Sequence, residues 1–270
     1  MHRTLFTPSM VETFRSCKRA YEIAFSKYAD GNGSSSAAAI CRKFILKGIA
    51  EINKSRLANV NQVQKYVGQN WPAEKLAEQL GEKENNTRAF LFAFKALSRY
   101  VNQPYVRQGA HTVAVALKLR ARVAHVRVYV EDTIDLVLWH PEQKLLEFVD
   151  FQTQPLKLMD PAWPSADMLF KQHLAERLKI RWPFEKLVLT SCRVTATEIS
   201  TNTISLDDSS TSRLHWQDML KTLEEMKQPP SKDARQCSSG LTENCRYCSA
   251  LTPVLQVSES GKLELLFKTA

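Results

Sequence analysis

The stretch IDLVLWHPEQKLLEFVDFQT, residues 134–153, decides the fold, because two apolar runs of strand-forming residues flank the turn HPEQ at residues 140–143. From His111 onward, Val and Leu recur at period two, so the region up to the end of this hairpin predicts three or four consecutive strands. Further patterns predict helices at 9–26, 37–52, 165–180 and 212–226, and strands at 184–195 and 197–206. We therefore predict one α/β domain over residues 1–270, with a central mixed sheet flanked by helices, a helical insertion at 55–105 and a Cys-rich metal-binding tail at 228–270.

Two aspartates of the hairpin are predicted to converge. Pairing Trp139 with Lys144 sets the register of the two strands. This register places Asp135 opposite Phe148, and because side chains alternate between faces, Asp150 shares the face of Phe148. Two buried like charges need a positive neutraliser, and oxygen ligands favour Mg²⁺ or Mn²⁺, which activates water against a phosphodiester. From the spacing alone, the alternative is a solvated sheet edge that exposes both aspartates to water.

Composition and charge bound the class of protein. Of 270 residues, 44% are hydrophobic and 24% are charged, which excludes collagen-like and disordered chains, and no apolar run is long enough for a membrane span. The first residues lack the apolar core and cleavage site of a secretory signal, so we expect a cytoplasmic protein with no membrane partner. Lys and Arg exceed Asp and Glu by 37 − 28 = 9, which favours a polyanionic partner such as DNA.

The hairpin also resembles the core motif of a nuclease family. Ile134-Asp135 and Asp150-Phe151-Gln152-Thr153 are similar to the motifs G-x-I-D and D-Y-K-T of PD-(D/E)XK nucleases of the RecB and AddB type, a group that includes iron-sulfur exonucleases of CRISPR adaptation. The resemblance implies a restriction-endonuclease-like core in which Asp135 and Asp150 bind Mg²⁺ or Mn²⁺ and Gln152 assists the attacking water. It extends over most of the chain, from Ser9 to Cys248.

The chain departs from the family pattern at groups that assist the metal. Gln152 stands where the family has a catalytic Lys, Asp132 where it has Gly, and Cys41 where its second helix has a metal-binding His. A Gln supplies only a neutral hydrogen bond, and a thiol is a poor ligand for Mg²⁺, so we expect Cys41 to be a buried helix residue. Gln172 matches the first position of the family's Q-x-x-x-Y motif, whereas Glu176 replaces the Tyr.

Cysteines at the two ends of the chain predict a second metal site. Residues 9–21 read S-x-x-x-x-F-x-x-C-x-x-x-Y and resemble the N-terminal signature of the same family, and the tail carries its C-x-x-C. The predicted ligands are Cys17, Cys237, Cys245 and Cys248. Four thiolates suit a [4Fe-4S] cluster, which the family pattern favours, or Zn²⁺. The third C-terminal Cys precedes the C-x-x-C here, whereas in the family it follows, so the type of metal stays open.

A basic strand is the predicted track for a phosphate backbone. Lys118, Arg120 and Arg122 alternate in LKLRAR and therefore share one strand face, which we predict to lie beside the acidic site. Gln172 is a further candidate contact to nucleic acid. The candidate extensions of this surface are Arg15, Lys18, Arg19, Arg42, Lys43 and Arg246.

These features predict a divalent-metal-dependent DNA nuclease of repair, recombination or CRISPR-type processing, acting on single-stranded DNA or free ends. The alternative is a catalytically impaired pseudo-nuclease that serves as a DNA-binding or scaffold subunit of a repair, CRISPR or transposition complex. A third interpretation is a Zn²⁺-stabilised protein-interaction domain that does not bind nucleic acid.

Overall fold

A computed structural model describes residues 5–25, 37–80, 83–106, 109–153, 164–206, 210–228, 254–257 and 263–266. The helices are α1 (Pro8–Ser16), α2 (Lys18–Phe25), α3 (Ala37–Asn53), α4 (Val60–Asn70), α5 (Ala73–Leu80), α6 (Lys83–Asn102), α7 (Ala166–Ala175) and α8 (Ser210–Lys227). The strands are β1 (Leu5–Phe6), β2 (His111–Val123), β3 (Val128–His140), β4 (Leu145–Gln152), β5 (Lys186–Val194), β6 (Ile199–Ser205), β7 (Val254–Val257) and β8 (Leu263–Leu266). None of the helices in these segments has the length and apolar character needed to cross a bilayer.

The centre of the molecule is a mixed six-stranded sheet built around β3. β2 pairs antiparallel along one edge of β3, so β1 and β4 share the other edge, where β1 pairs with Tyr129–Val130 and β4 with Leu136–His140. β5 lies parallel to β4, and β6 lies antiparallel to β5. Within the described chain, residues 131–135 of β3 therefore have no strand partner on the edge that β1 and β4 share.

Helices cover both faces of this sheet. On one face, α3, α4 and α6 pack in a buried apolar cluster that includes Leu136, Leu138 and Phe151. On the other face, α1, α7 and α8 pack around Val130, while α7 also packs on Phe148. This architecture confirms the predicted α/β class with a central mixed sheet flanked by helices.

The predicted helix at residues 9–26 is wrong in one respect, because the structure contains two helices. Cys17 lies between α1 and α2 in an extended conformation, with φ −162° and ψ 109°. Its side chain is only 2% exposed, and its Sγ accepts a hydrogen bond from the backbone N–H of Ala20 at 3.4 Å. The thiol therefore caps the first turn of α2 and interrupts the helix.

Two close contacts join the helical segment 55–105 to its surroundings. A Cβ at Gly48 of α3 would lie 2.6 Å from Cδ1 of Leu97 in α6, so a larger residue at this position would force the buried Leu97 side chain to shift. Glu147 of β4 is fully buried, and its Oε1 accepts hydrogen bonds from Tyr105 Oη at 2.7 Å and Thr190 Oγ1 at 2.5 Å. This carboxylate ties the residues after α6 to the middle of the sheet.

Candidate active site

The hairpin β3–β4 opens at its two aspartates. Strand pairing extends from His140↔Leu145 to Leu136↔Val149, and the same register places Asp135 level with Asp150 as the strands separate. In place of a ladder bond, the backbone N–H of Phe151 donates to Asp135 Oδ2 at 2.8 Å. The separation leaves a gap between the strands with a carboxylate on each side.

The predicted register of this hairpin is wrong by two residues. Trp139 lies opposite Leu146, not Lys144, so Asp135 does not lie opposite Phe148. The reason is the turn at residues 141–144, where Lys144 takes a φ of +46° and its N–H donates to the Pro141 carbonyl at 3.2 Å. Because the error is an even number of residues, the face assigned to each side chain of β4 is unchanged.

The side chains of β3 stop alternating regularly between the two faces of the sheet at Asp135. Ile134 packs in the cluster under α7, whereas Leu136, two residues later, packs in the cluster under α3 and α6. Regular alternation would place both on one face. On the neighbouring strand, Ala116 has a φ of +53°, a left-handed conformation that costs a non-glycine residue about 1 kcal/mol. The irregularity leaves Asp132 on the α7 face of the sheet, where the side chain of Asp150 also lies.

A buried lysine from α7 lies among these carboxylates. Lys171 Nζ is 2.8 Å from Asp150 Oδ2, 3.1 Å from Asp132 Oδ2 and 2.5 Å from Asp167 Oδ1, and the Lys171 side chain is 3% exposed. Asp167 and Lys171 are one helical turn apart, and α7 is capped by the Ser165 hydroxyl, which accepts from the N–H of Met168. The helix therefore holds the ammonium at a defined point above the gap between β3 and β4.

Burial and mutual repulsion disfavour ionisation of these aspartates. Burial raises the pKa of Asp150 to about 7; the Lys171 charge opposes this rise, and the Asp167 and Asp135 charges add to it. Burial also raises the pKa values of Asp135 and Asp132. For Lys171, burial acts to lower the pKa, but the surrounding carboxylates outweigh it and raise the pKa above the usual lysine value. The site therefore has excess negative charge beyond what one ammonium neutralises.

An arginine approaches the same site from the opposite helical layer. Arg42 in α3 is exposed, and its charge lowers the pKa of Asp135 against the effect of burial. The Asp150 side chain is 27% exposed, so most of it is buried beside Lys171 while part of it faces solvent. Arg42 is therefore an exposed cation whose charge acts on the carboxylate of Asp135.

The donor set suits a hard divalent cation. Asp135 and Asp150 offer carboxylate oxygens at the gap, and Asp132 Oδ2 is buried 3.1 Å from Lys171 Nζ. Among the described residues, no group of three or more His, Cys, Asp and Glu side chains is open to a metal ion, and Lys171 lies between the three carboxylates of Asp132, Asp150 and Asp167. Mg²⁺ is commonly bound through one or two carboxylates, with water and substrate phosphate as the other ligands, so two aspartates are a sufficient protein contribution.

The other predicted active-site residues lie nearby but differ in their contacts. Gln152 Nε2 donates to Ser191 Oγ of β5 at 3.2 Å, so its amide is engaged with the sheet. Gln172 follows Lys171 in α7 and lines a cavity of about 680 Å³ together with His173 and Trp216, whose rings stack at 4.7 Å. Cys41 is partly buried against the cluster under α3, as expected of a helix residue, and burial raises its pKa.

The basic strand directs Lys118 and Arg120 to the face of the sheet opposite to Lys171. Lys118 Nζ is 2.8 Å from Glu131 Oε1, and Arg120 Nη2 is 2.7 Å from Glu131 Oε2. Glu131 and Asp132 are successive residues of β3 and point to opposite faces, so these two cations lie on the face away from Lys171. Arg122 is exposed on the same strand, and binding of nucleic acid by these residues stays a prediction.

Two of the candidate extensions are paired with α8. Arg15 Nη2 is 3.1 Å from Asp218 Oδ2, and Lys18 Nζ is 3.0 Å from Glu225 Oε2. These exposed ion pairs contribute little to stability, and they lower the positive charge on the outer face of α1 and α2.

Of the four predicted cysteine ligands, only Cys17 lies among the described residues. Cys17 is buried at the junction of α1 and α2, whereas Cys237, Cys245, Cys248 and Arg246 lie outside the described residues. The ligand set and the choice between [4Fe-4S] and Zn²⁺ therefore stay predictions.

Sequence reasoning missed three residues of the site. Asp132 appears only as a departure from the family pattern, and Lys171 and Asp167 appear only as part of an amphipathic helix. The i,i+4 spacing of Asp167 and Lys171 is a detectable signal, but it is typical of many exposed helix pairs. Only the burial of Lys171 distinguishes this pair from a surface pair.

Comparisons with known proteins do not identify a family. No family model matches the chain, and no curated protein matches it. Among solved structures, the chain is similar to one titled "Crystal structure of SSO0001", with 12% sequence identity over 78% of this chain and 95% of that chain, and a TM-score of 0.25. Similarity at this level carries no argument about function, so the function of this chain is inferred from its own site.

Proposed function

We propose that this chain is a divalent-metal-dependent DNA nuclease whose active site is the gap between β3 and β4. The observation that carries the proposal is the ammonium of Lys171, 2.8 Å from Asp150 at the gap that Asp135 also lines. The PD-(D/E)XK motif that this hairpin resembles carries a Lys on the strand, and Gln152 stands in its place here. Lys171 of α7 supplies a positive charge to the same site. We also propose that the sheet and its flanking helices form a restriction-endonuclease-like core.

The residues of the chain divide the work of hydrolysis. Asp135 and Asp150 would hold Mg²⁺ or Mn²⁺, which, when bound, activates water and stabilises charge on the phosphate. The Phe151 N–H orients Asp135, and Lys171 orients Asp150, so both carboxylates are fixed before substrate binds. Arg42, on the solvent side, is the candidate contact to a phosphate oxygen of the strand that is cleaved.

A cleavage assay with matched variants tests the proposal. End-labelled single-stranded and double-stranded DNA is incubated with anaerobically purified protein and Mn²⁺ or Mg²⁺, with EDTA as the blank. We expect metal-dependent cleavage that Asp150→Ala and Asp135→Ala abolish. Asp218→Ala, which removes an exposed carboxylate on α8 paired with Arg15, is the matched control and retains activity. Cleavage that persists in Asp150→Ala would refute the site.

One observation favours the alternative, a pseudo-nuclease that binds DNA or serves as a scaffold subunit. The Gln152 Nε2 donates to Ser191 Oγ of β5 at 3.2 Å, so this side chain is already engaged with the sheet. Under this alternative, the native protein binds DNA without cleaving it in any metal, and Gln152→Lys either restores cleavage or leaves it absent. The same assay therefore separates the two functions, and co-purification of partner subunits would identify the complex.

The four-thiolate site is a further part of the proposal. Burial of Cys17 at a helix junction supports a structural role, since a closed thiolate shell excludes water. Iron, sulfide and zinc analysis of anaerobically purified protein distinguishes [4Fe-4S] from Zn²⁺. We expect Cys17→Ser to lose the metal, whereas Cys192→Ala, a change in the buried cluster under α6, leaves it bound.

A further inference from the structure

Carboxylate oxygens surround the ammonium of Lys171, as they would surround a bound metal ion. Three carboxylate oxygens from three different elements surround its Nζ: Asp132 of β3 at 3.1 Å, Asp150 of β4 at 2.8 Å and Asp167 of α7 at 2.5 Å. The side chain is 3% exposed, so water contributes little to this shell. Hard divalent cations take the same kind of ligand, carboxylate oxygens, at about 2.0–2.2 Å for Mg²⁺.

The number of carboxylates exceeds what a structural ion pair needs. One well-placed carboxylate neutralises one ammonium, yet three contact Lys171, and Asp135 lies close enough to add a fourth charge. Buried ion pairs of this kind add little net stability compared with apolar residues of similar volume, so stability alone does not explain the cluster. Two-metal sites hold their ions about 3.5–4 Å apart, so one carboxylate between two cation positions can contact both. Asp150 is the residue in this position here, since it faces both the gap and Lys171.

We propose that the ammonium of Lys171 takes the place of a second divalent cation, so that the site binds a single Mg²⁺ or Mn²⁺ at Asp135 and Asp150. The inference rests on the proposed function, because it assigns the metal stoichiometry of that same site. A second divalent ion cannot enter the shell of Asp132, Asp150 and Asp167 while Lys171 occupies it. Lys171 is then a positioning residue: it acts through Asp150, which it holds in place with a fixed positive charge.

The test counts Mn²⁺ ions by equilibrium binding and electron paramagnetic resonance, independently of cleavage. We expect one Mn²⁺ per chain at this site in the native protein, lost in Asp150→Ala. In Lys171→Met, the vacated shell takes a second Mn²⁺, and the resonance shows coupling between the two ions. Lys179→Met removes an exposed lysine that pairs with Glu176 and is the matched control, with one ion.

A second variant protects the test against misfolding. Lys171→Met leaves three carboxylates without their cation, so Lys171→Met/Asp167→Asn removes one of those charges while it keeps Asp132 and Asp150 as ligands. Circular dichroism and thermal melting establish that each variant is folded. One ion in folded Lys171→Met and in the double variant, or two ions in the native protein, would overturn the inference and leave the nuclease proposal standing. No ion in the native protein overturns both.

Discussion

The raised pKa of Asp150 predicts that the metal-free protein loses stability as the pH rises towards 8. In the folded state, the pKa of Asp150 is about 7, because the carboxyl is buried among other acids. In the unfolded chain the same group titrates near its usual value of about 3.9. Below that value both states are protonated, and the contribution to stability is fully present. As the pH rises through 7, the folded state must also ionise, and the contribution is lost.

The size of this loss follows from the two pKa values. Between about pH 5.5 and pH 8, the linkage relation gives a fall of roughly 2 kcal/mol in the free energy of unfolding from this one group. Asp150→Asn removes the titration and keeps the shape of the side chain. We therefore expect native protein and variant to differ by roughly 2 kcal/mol more at pH 8 than at pH 5.5, in favour of the variant.

The assay is urea unfolding in EDTA at several pH values, followed by circular dichroism. Asp150→Asn also removes one charged partner of Lys171, although Asp132 and Asp167 remain. This effect on the free energy of unfolding is the same at every pH, so it cancels when the pH dependence of the two proteins is compared. Mn²⁺ at pH 8 should stabilise the native protein and leave Asp150→Asn unchanged, since the metal neutralises the same charge. If the stabilities of the two proteins changed in parallel with pH, the assignment of the raised pKa to Asp150 would be refuted.

Three further changes probe the scaffold and the solvent side of the site. Gly48→Ala should lower the free energy of unfolding by about 1–3 kcal/mol in urea melts, because the new Cβ meets Leu97 at 2.6 Å; a neutral result would show that the helices separate freely. Glu147→Ala should cost about 3 kcal/mol or more, because it removes the buried carboxylate that accepts from Tyr105 and Thr190 and pairs with His140; a change below about 1 kcal/mol would contradict the network. Arg42→Ala should weaken DNA binding about tenfold and reduce the slope of log K against log salt by about 1, measured by fluorescence anisotropy; Lys47→Ala on the same helix is the control, and equal loss in both would indicate general charge alone.

Local pattern was enough to predict much of the scaffold and half of the site. Alternation in β3 and β4 identified the hairpin, the two aspartates and the face of Asp150, because strand periodicity depends only on neighbouring residues. The break at Cys17 was not predictable in this way, since a buried thiol overrides a continuous helical period. Register was also missed, because it depends on the left-handed Lys144 in the turn, and Lys is not a residue that signals this conformation.

The sequence by itself determined the α/β class, the position of the hairpin and the presence of two acids at its open end. Only the tertiary structure decided that the side chains of β3 stop alternating regularly at Asp135, that Asp132 lies on the face of Asp150, and that the Lys171 ammonium contacts both carboxylates. Lys171 lies 21 positions after Asp150 and reaches it through the packing of α7 on the sheet. Contacts of this kind depend on how whole elements pack to bury their apolar faces, and neither periodicity nor spacing along the chain encodes that arrangement.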